Sequence, residues 1–418
     1  MNQTFTFADK TKRFCYILMG IGIIGLIYGY VMDSAPTFTP EETAADWHYG
    51  HNRFWANMLI NSFFFMGISL AATFFLALQY AAEAGWSITI KRVIEAVTTY
   101  LPIGLGLMLL MLLLGAFKVH GLYEWMNPNP SVYDEHSDKF DEVLTHKKAY
   151  FNPIFYGART LLFILAWGGF QRLFRKRSLE ADLNGDSNHI IHFKNVRSAA
   201  IFLVIFGFSS SVMSWDWLMS IDVHWFSTMF GWYTFAGMWI SALITITMLV
   251  LWLRSRGYLA EVQESTIHDM GKWMFAVSFL WTYLYFMQFM LIWYTNIPDE
   301  VSYFYDRIHQ FGYRWTLWLT FFINFTFPMV MLMSRDAKRN AGFLGFVGLC
   351  IFVFHWLDIF NMVMPATVHG HWCIGFTEIG IFLGFLGLFL FVVLSNLAKA
   401  PLMVKNHPFL EESKHLHT

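Results

Sequence analysis

Charge is scarce in this sequence. Asp, Glu, Lys and Arg make up 14% of its 418 residues, against about 25% in ordinary soluble domains. What charge there is nearly cancels, at a net −1 with a pI near 7, so there is no basic field to hold nucleic acid. Cysteine is rarer still. Cys15, Cys350 and Cys373 are scattered without C-x-x-C spacing. They supply neither the four thiolates of an iron–sulfur cluster nor a C-x-x-C-H haem attachment, and packing is their simpler role. Paired histidines at matched depths on two apolar runs are missing too. Only His355 lies deep in such a run, while His120, His224, His369 and His371 fall at ends or in loops. That pattern argues against a b-type haem, and more strongly against a haem–copper oxidase. No metal ligand set is expected in the chain, so redox chemistry would borrow its centres from a partner.

Apolar residues are present in excess, at 56%, with 19% aromatic and 45 phenylalanines. So much apolar bulk would overfill a water-soluble core, and the expected solvent is lipid. A hydrocarbon layer of about 30 Å takes about 20 residues of helix. Ten runs qualify, at about 14–32, 54–82, 98–117, 153–174, 198–220, 225–253, 272–295, 312–333, 342–363 and 373–397. The expectation is an all-α polytopic membrane protein of one integral domain, with no separate soluble domain. No small-residue cleavage site follows the first run, which therefore reads as a retained span rather than a signal peptide.

Connecting segments alternate in charge. Those on the side of the N-terminus hold twenty Lys and Arg, those opposite hold seven, and Arg159 lies inside a run. By the positive-inside rule both termini are cytoplasmic, as an even number of spans requires. The opposite loops are acidic, notably EHSDKFDE at 135–142, and the longest, about 118–152, could dock an extracytoplasmic partner. There is also a weak internal echo. Trp215-Asp216 and His224-Trp225 close the fifth run, while His355-Trp356-Leu357-Asp358 and His371-Trp372 close the ninth. A parallel repeat of runs 2–5 and 6–9 would have this form.

Polar intruders in the apolar runs fall on one side. At 1.5 Å per residue, Asp216 lies about 27 Å along an outward-running span, and His355 and Asp358 about 20 and 24 Å along another. Glu378 and Arg159 sit about 8 and 9 Å below the outer face. Every ionisable residue inside the runs is thus expected in the outer half, with none in the inner half. His355 and Asp358, three apart, share a helix face and could pass a proton. Arg159 is a counter-charge for Asp216, Asp358 or Glu378. Asp222 and His224 would form the rim of this layer. The alternative reading is a salt-bridge network that locks helices together. Gly25-x-x-x-Gly29 and Gly380-x-x-x-Gly384 permit close helix contact without pointing to a function.

The segment SVMSWDWLMSIDVHWFSTMFGWYTFAGMW, at 211–239, resembles the NrfD-like membrane subunits of bacterial alternative complex III, a quinol:cytochrome c oxidoreductase. Within that family it looks most like the ActF type rather than the quinol-oxidising ActC type. The ten-span layout with both ends inside is similar over almost the whole chain. The resemblance implies two four-helix bundles, from spans 2–5 and 6–9, plus two further helices. It implies a bacterial inner-membrane location and a complex with a sister NrfD-like subunit, a periplasmic iron–sulfur subunit and haem c subunits, with a terminal oxidase beyond them. It implies quinol (menaquinone or ubiquinone) oxidised on the outer side, proton conduction through both NrfD-like subunits, and no metal bound by the membrane subunits themselves. His355, Asp358, Asp216, Glu378, Arg159, His224 and Asp222 are then the candidates for a quinone site or proton transfer. Two other readings stay open. An independent secondary transporter would place its polar site nearer the midplane on broken helices, and a scaffold subunit would need none of these residues for turnover.

Overall fold

The computed structural model describes residues 3–32, 51–126, 130–138 and 140–415, with backbone alone at 130, 131 and 187. The chain is an all-α polytopic membrane protein. Among the described residues, nine helical segments are long and apolar enough to cross a membrane. We label the helices α1 (Asp9–Met32), α2 (Asn52–Ala81), α3 (Lys91–Thr98), α4 (Leu101–Ala116), α5 (Pro153–Asn184), α6 (Ile190–Trp217), α7 (Met229–Ser255), α8 (Glu264–Thr295), α9 (Arg314–Phe321), α10 (Phe327–Met331), α11 (Ala341–Val368) and α12 (Phe376–Leu397). α3 and α4 together form one of the nine segments.

Prolines decide where these helices bend. Pro102 has no amide to offer the Thr98 carbonyl, and the third segment breaks at Thr99–Tyr100, between α3 and α4. Pro328 likewise leaves the Asn324 carbonyl without its helical donor. The expected run 312–333 is accordingly not one regular helix. It is α9 and α10 joined through a π-turn at Phe322–Thr326, whose wider ring takes up the mismatch. Pro365 sits inside α11 and frees the Asn361 carbonyl, which accepts a bond from Arg307 Nε at 3.3 Å.

Several helices run well beyond the expected spans. α5 continues to Asn184, α6 begins at Ile190, α8 begins at Glu264, and a 3₁₀ turn at Ile88–Ile90 precedes α3. The lipid-crossing part is set by hydropathy, whereas the helix continues as long as its backbone stays bonded and it is suitably capped.

Two rings of four helices result. In the first, α2 packs against α4 and α6, and α5 packs against both of these. In the second, α7 packs against α8 and α11, while the α9–α10 unit closes the ring between α8 and α11. α2 joins the rings by packing on α7 and α11 as well, and 94% of its apolar window is buried. A helix apolar on every side belongs in such a position. α1 and α12 pack on each other outside the rings, and α12 leans on α2.

The chain ends meet on one face, called here the near face. Thr4 bridges Pro401, the Gln3 carbonyl accepts the Leu402 amide at 3.0 Å, and Thr6 bonds Tyr258 Oη at 2.6 Å. Ser413 Oγ donates to the Trp86 carbonyl at 3.1 Å, and Lys414 pairs with Glu261 at 3.4 Å. The two terminal segments thereby tie the near ends of both rings together.

The α1–α12 seam is made of glycine. A Cβ at Gly22 would lie 2.2 Å from the Gly384 Cα, and one at Gly25 would lie 3.0 Å from the Gly380 Cα. Gly22 and Gly25 thus face Gly384 and Gly380, whereas Gly29 meets the Thr377 side chain, and backbone contact replaces side-chain packing along the seam. Gly384→Leu should lower the thermal unfolding temperature of the detergent-solubilised protein, with about 1–3 kcal/mol lost to overpacking. Gly207→Leu, where nothing lies within 4 Å of the new Cβ, should leave it unchanged.

Candidate functional site

The ionisable residues of the far half resolve into separate arrangements. Asp216, fully buried near the end of α6, is clamped by Arg159 of α5 through Nε–Oδ2 at 2.8 Å and Nη2–Oδ1 at 3.0 Å. The Tyr150 hydroxyl donates to Oδ1 at 2.9 Å. The guanidinium lies 4.0 Å from the Tyr150 ring centroid and 4.4 Å from that of Phe155. Of the three counter-ions open to Arg159, the structure selects Asp216.

Glu378 has a different partner. Arg53 of α2 binds it through Nε–Oε1 at 2.8 Å and Nη2–Oε2 at 2.9 Å, Asn57 donates at 3.0 Å, and the Gly375 amide donates at 2.9 Å. Arg53 reads from the sequence as one basic residue of an outer loop, because nothing local marks it as packed, half-buried, against α12. Both pairs are two-pronged and hydrogen-bonded on all sides, the condition under which a buried ion pair holds helices together.

Asp358 of α11 differs. It is 3% exposed, and among the described residues no cation pairs with it. The Tyr233 hydroxyl of α7 donates to Oδ1, and Trp281 Nε1 of α8 donates to Oδ2 at 3.2 Å. His355, one turn earlier, meets Trp281 edge-on at 5.2 Å, and neither of its ring nitrogens has a hydrogen-bond partner. The two residues share a helix face, but no hydrogen bond joins them. Tyr233 and Trp281 both lie in runs that read only as apolar, so their pairing with Asp358 had no signal in spacing.

Asp222 and His224 stand apart at the far face. Asp222 accepts the Trp225 amide at 3.3 Å, and His224 Nε2 meets Asp141 Oδ2 at 2.7 Å. Burial alone would raise the Asp141 carboxyl, but the Leu144 amide and His224 outweigh it and hold the group below the usual carboxylate range. The hairpin carrying these residues is pinned by Trp225, whose ring stacks on Tyr303 at 4.1 Å and whose Nε1 donates to the Glu300 carbonyl at 3.2 Å.

Two clefts flank the Asp358 region. A polar one of about 230 Å³ opens at the far face between the rings, and its lining includes Asp222, His224, Asp306, Arg307 and His369. There burial pushes the Asp306 carboxyl up; adjacent Arg307 offsets part of the rise and Asp222 adds to it. An apolar cleft of about 250 Å³ is lined by Tyr285, Phe286, Phe289, Phe304, Trp318 and Phe321, among others. The short helix Pro298–Tyr305 and the π-turn Asp306–Gln310 separate the two. Tyr303 and Arg307 face the polar cleft, Phe304 and Ile308 the apolar one. Tyr285 is the link inward: its ring stacks on Trp281 at 5.4 Å and packs on Tyr233 at 5.5 Å. Both donors to Asp358 therefore stand directly behind a wall of the apolar cleft.

Beyond the near ends of the apolar runs lies a further charge cluster that the sequence pattern does not mark. Arg92 and Glu95 of α3 pair at 2.5 Å, Arg175 of α5 reaches Glu95 at 2.7 Å, and Arg92 also binds Asp182. The cause is helix length: α3 and α5 extend past the apolar runs and bury these residues between them. Among the described residues, no three His, Cys, Asp or Glu side chains gather as a metal site.

Arg159→Leu should strand Asp216 and cost about 3–5 kcal/mol. The double variant Arg159→Leu/Asp216→Leu should recover most of that loss in the same thermal unfolding measurement. No family model matches the chain, and no curated protein matches it.

Proposed function

We propose that this protein is a membrane subunit of a bacterial respiratory quinol:cytochrome c oxidoreductase of the alternative complex III kind, and that it contributes quinone binding and proton transfer on its outer side. In this reading the chain crosses the inner membrane ten times, counting the broken α9–α10 unit. Both termini are cytoplasmic, and the near face is the inner one. Its partners are a sister NrfD-like subunit, an iron–sulfur subunit and haem c subunits, which supply the redox centres.

One observation carries the proposal: a buried carboxylate held, among the described residues, by Tyr233 and Trp281, behind an aromatic cleft that borders the far half of the second ring. An isoprenoid quinone needs an apolar slot for its ring and tail, and a proton acceptor within reach of its headgroup. Phe286, Phe289, Phe304 and Phe321 furnish the slot, and Tyr285 separates it from the cage around Asp358. Quinol oxidation releases two electrons and two protons. The electrons leave to a centre on a partner subunit; one proton passes to Asp358, which no cation among the described residues neutralises, and the other leaves to water at the far face. Asp216 and Glu378 cannot serve in the same way, because each is neutralised by its own arginine.

The test is quinol:cytochrome c turnover by the assembled complex carrying Asp358→Asn. Loss of a general base costs about 10²–10⁴-fold, and a fall of this order in kcat with subunit composition intact is expected. Turnover equal to wild type for both Asp358→Asn and His355→Ala would leave the chain as a scaffold. Purification of the chain from native membranes without haem c or iron–sulfur partners would overturn the complex itself.

A further inference from the structure

The hairpin of α5 and α6, like α1, is thinly enclosed among the described residues. Only 22% and 33% of the apolar windows of these two segments are buried, compared with 94% for α2. Along α5 the exposed stripe runs Leu161, Leu162, Leu165, Gly169, then Arg172 and Lys176. Along α6 it runs Lys194 and Arg197, then Ile201, Val204 and Phe208. Each stripe is thus apolar toward the far face and basic at its near end.

Depth places the change of character at one level. Arg172 lies about 28 Å below the start of α5 at Pro153, and Arg197 about 30 Å from the end of α6 at Trp217. A hydrocarbon layer of about 30 Å therefore ends at these two arginines, and Lys176 and Lys194 stand about one turn beyond it. The two helices touch at this level, because Arg177 Nη1 donates to the Lys194 carbonyl at 3.1 Å and to Ser198 Oγ at 2.8 Å.

These cations have no carboxylate of their own. No ion pair forms at Arg172, Lys176, Lys194 or Arg197 among the described residues. The neighbouring acids are engaged elsewhere: Asp182 binds Arg92 and the Lys405 amide, and Asp186 caps the Ile191 and His192 amides at 2.8 and 3.0 Å. Glu180, one turn from Lys176, is exposed and forms no ion pair with it. Elsewhere on the near face the buried arginines Arg92 and Arg175 are both neutralised by Glu95.

We infer that the near-face ends of α5 and α6 bind the phosphate headgroup of an anionic phospholipid, with its acyl chains lying along the apolar stripes beneath. Charge and depth choose this occupant over a protein. Four uncompensated cations sit at the headgroup level, directly above an unbroken aliphatic and aromatic surface, which matches a diacyl phosphate at both ends. Basic clusters at helix ends recognise such headgroups, each cation near the surface contributing about fivefold to binding. Salt screens the attraction within a Debye length.

The test is native mass spectrometry of the detergent-purified chain titrated separately with cardiolipin, phosphatidylglycerol, phosphatidylcholine and inorganic phosphate. The two anionic lipids should be retained in a salt-sensitive manner, phosphatidylcholine should not, and inorganic phosphate should not displace them. Replacing Arg172, Lys176, Lys194 and Arg197 together by Gln should weaken retention by nearly three orders of magnitude, about 600-fold. Arg172→Lys with Arg197→Lys should keep it, which separates lost charge from lost fold. Arg256→Gln, at the near end of α7, should leave it unchanged. Equal retention by the four-Gln variant, or displacement by inorganic phosphate, would overturn the lipid assignment. So would crosslinking of Val204→Cys to another protein in native membranes.

Discussion

The structure turns on what a carboxylate requires once helices enclose it away from water. An isolated buried ion is several kcal/mol out of place unless charge and hydrogen bonds answer it. This chain answers the demand in two ways at related positions. The last helix of each ring carries an acid toward its far end, Asp216 on α6 and Asp358 on α11. In the first ring the preceding helix supplies Arg159, and the acid becomes a clamp. In the second ring the preceding element is the broken α9–α10 unit, from which no cation reaches Asp358, and among the described residues Tyr233 and Trp281 answer instead. The same architecture thus yields a locked carboxylate and an unlocked one.

The broken helix and the unlocked acid belong together. An intact α9–α10 helix would pack evenly against α8 and α11 and close the space between them. Instead Pro328 and the π-turn alter the register of this helix, while Pro365 frees the Asn361 carbonyl on α11. Arg307 takes that carbonyl, together with those of Tyr303 and Met362, and lies 3.5 Å over the Tyr303 ring. Its charge is therefore spent on backbone rather than on Asp358. The segment 298–310 held in this way is the partition between the two clefts. Two proline-linked irregularities, Pro328 with its π-turn and Pro365, thus lie in the elements that border the two clefts.

Much of this was legible in the sequence, and the limits are physical. Span positions followed from apolar runs because the cost of exposing backbone in lipid leaves little choice but helix. The glycine motifs stand out in the sequence because only a residue without a side chain allows such contact, but the spacing does not show that Gly22 and Gly25, rather than Gly25 and Gly29, meet the second motif. Asp216, Glu378 and Asp358 stood out as acids in apolar surroundings. Their partners did not, because Arg53 is 325 residues from Glu378, and Tyr233 and Trp281 look like ordinary packing residues. The near-half cluster of Arg92, Glu95, Arg175 and Asp182 was missed for a further reason. Hydropathy marks where lipid ends, not where a helix ends, and α3 and α5 continue beyond that boundary and bury charge between them.

The distribution of neutralised and bare charge then gives the molecule a direction. At the near end, Arg92 and Arg175 are matched by Glu95 and Asp182, while the cations of the α5–α6 hairpin are among those that form no ion pair with the described residues. At the far end, two carboxylates are matched and one is not, and the surplus is acidic, with Asp222 and Asp306 at the polar cleft. A cation surplus at one membrane boundary anchors a helix pair among anionic headgroups and resists its movement across the bilayer. In the proposed reading, a carboxylate surplus at the other receives a released proton. Exchanging the two surpluses would then reverse the protein in the membrane, and the locked ion pairs that hold the helices in register keep the unlocked group at the far end.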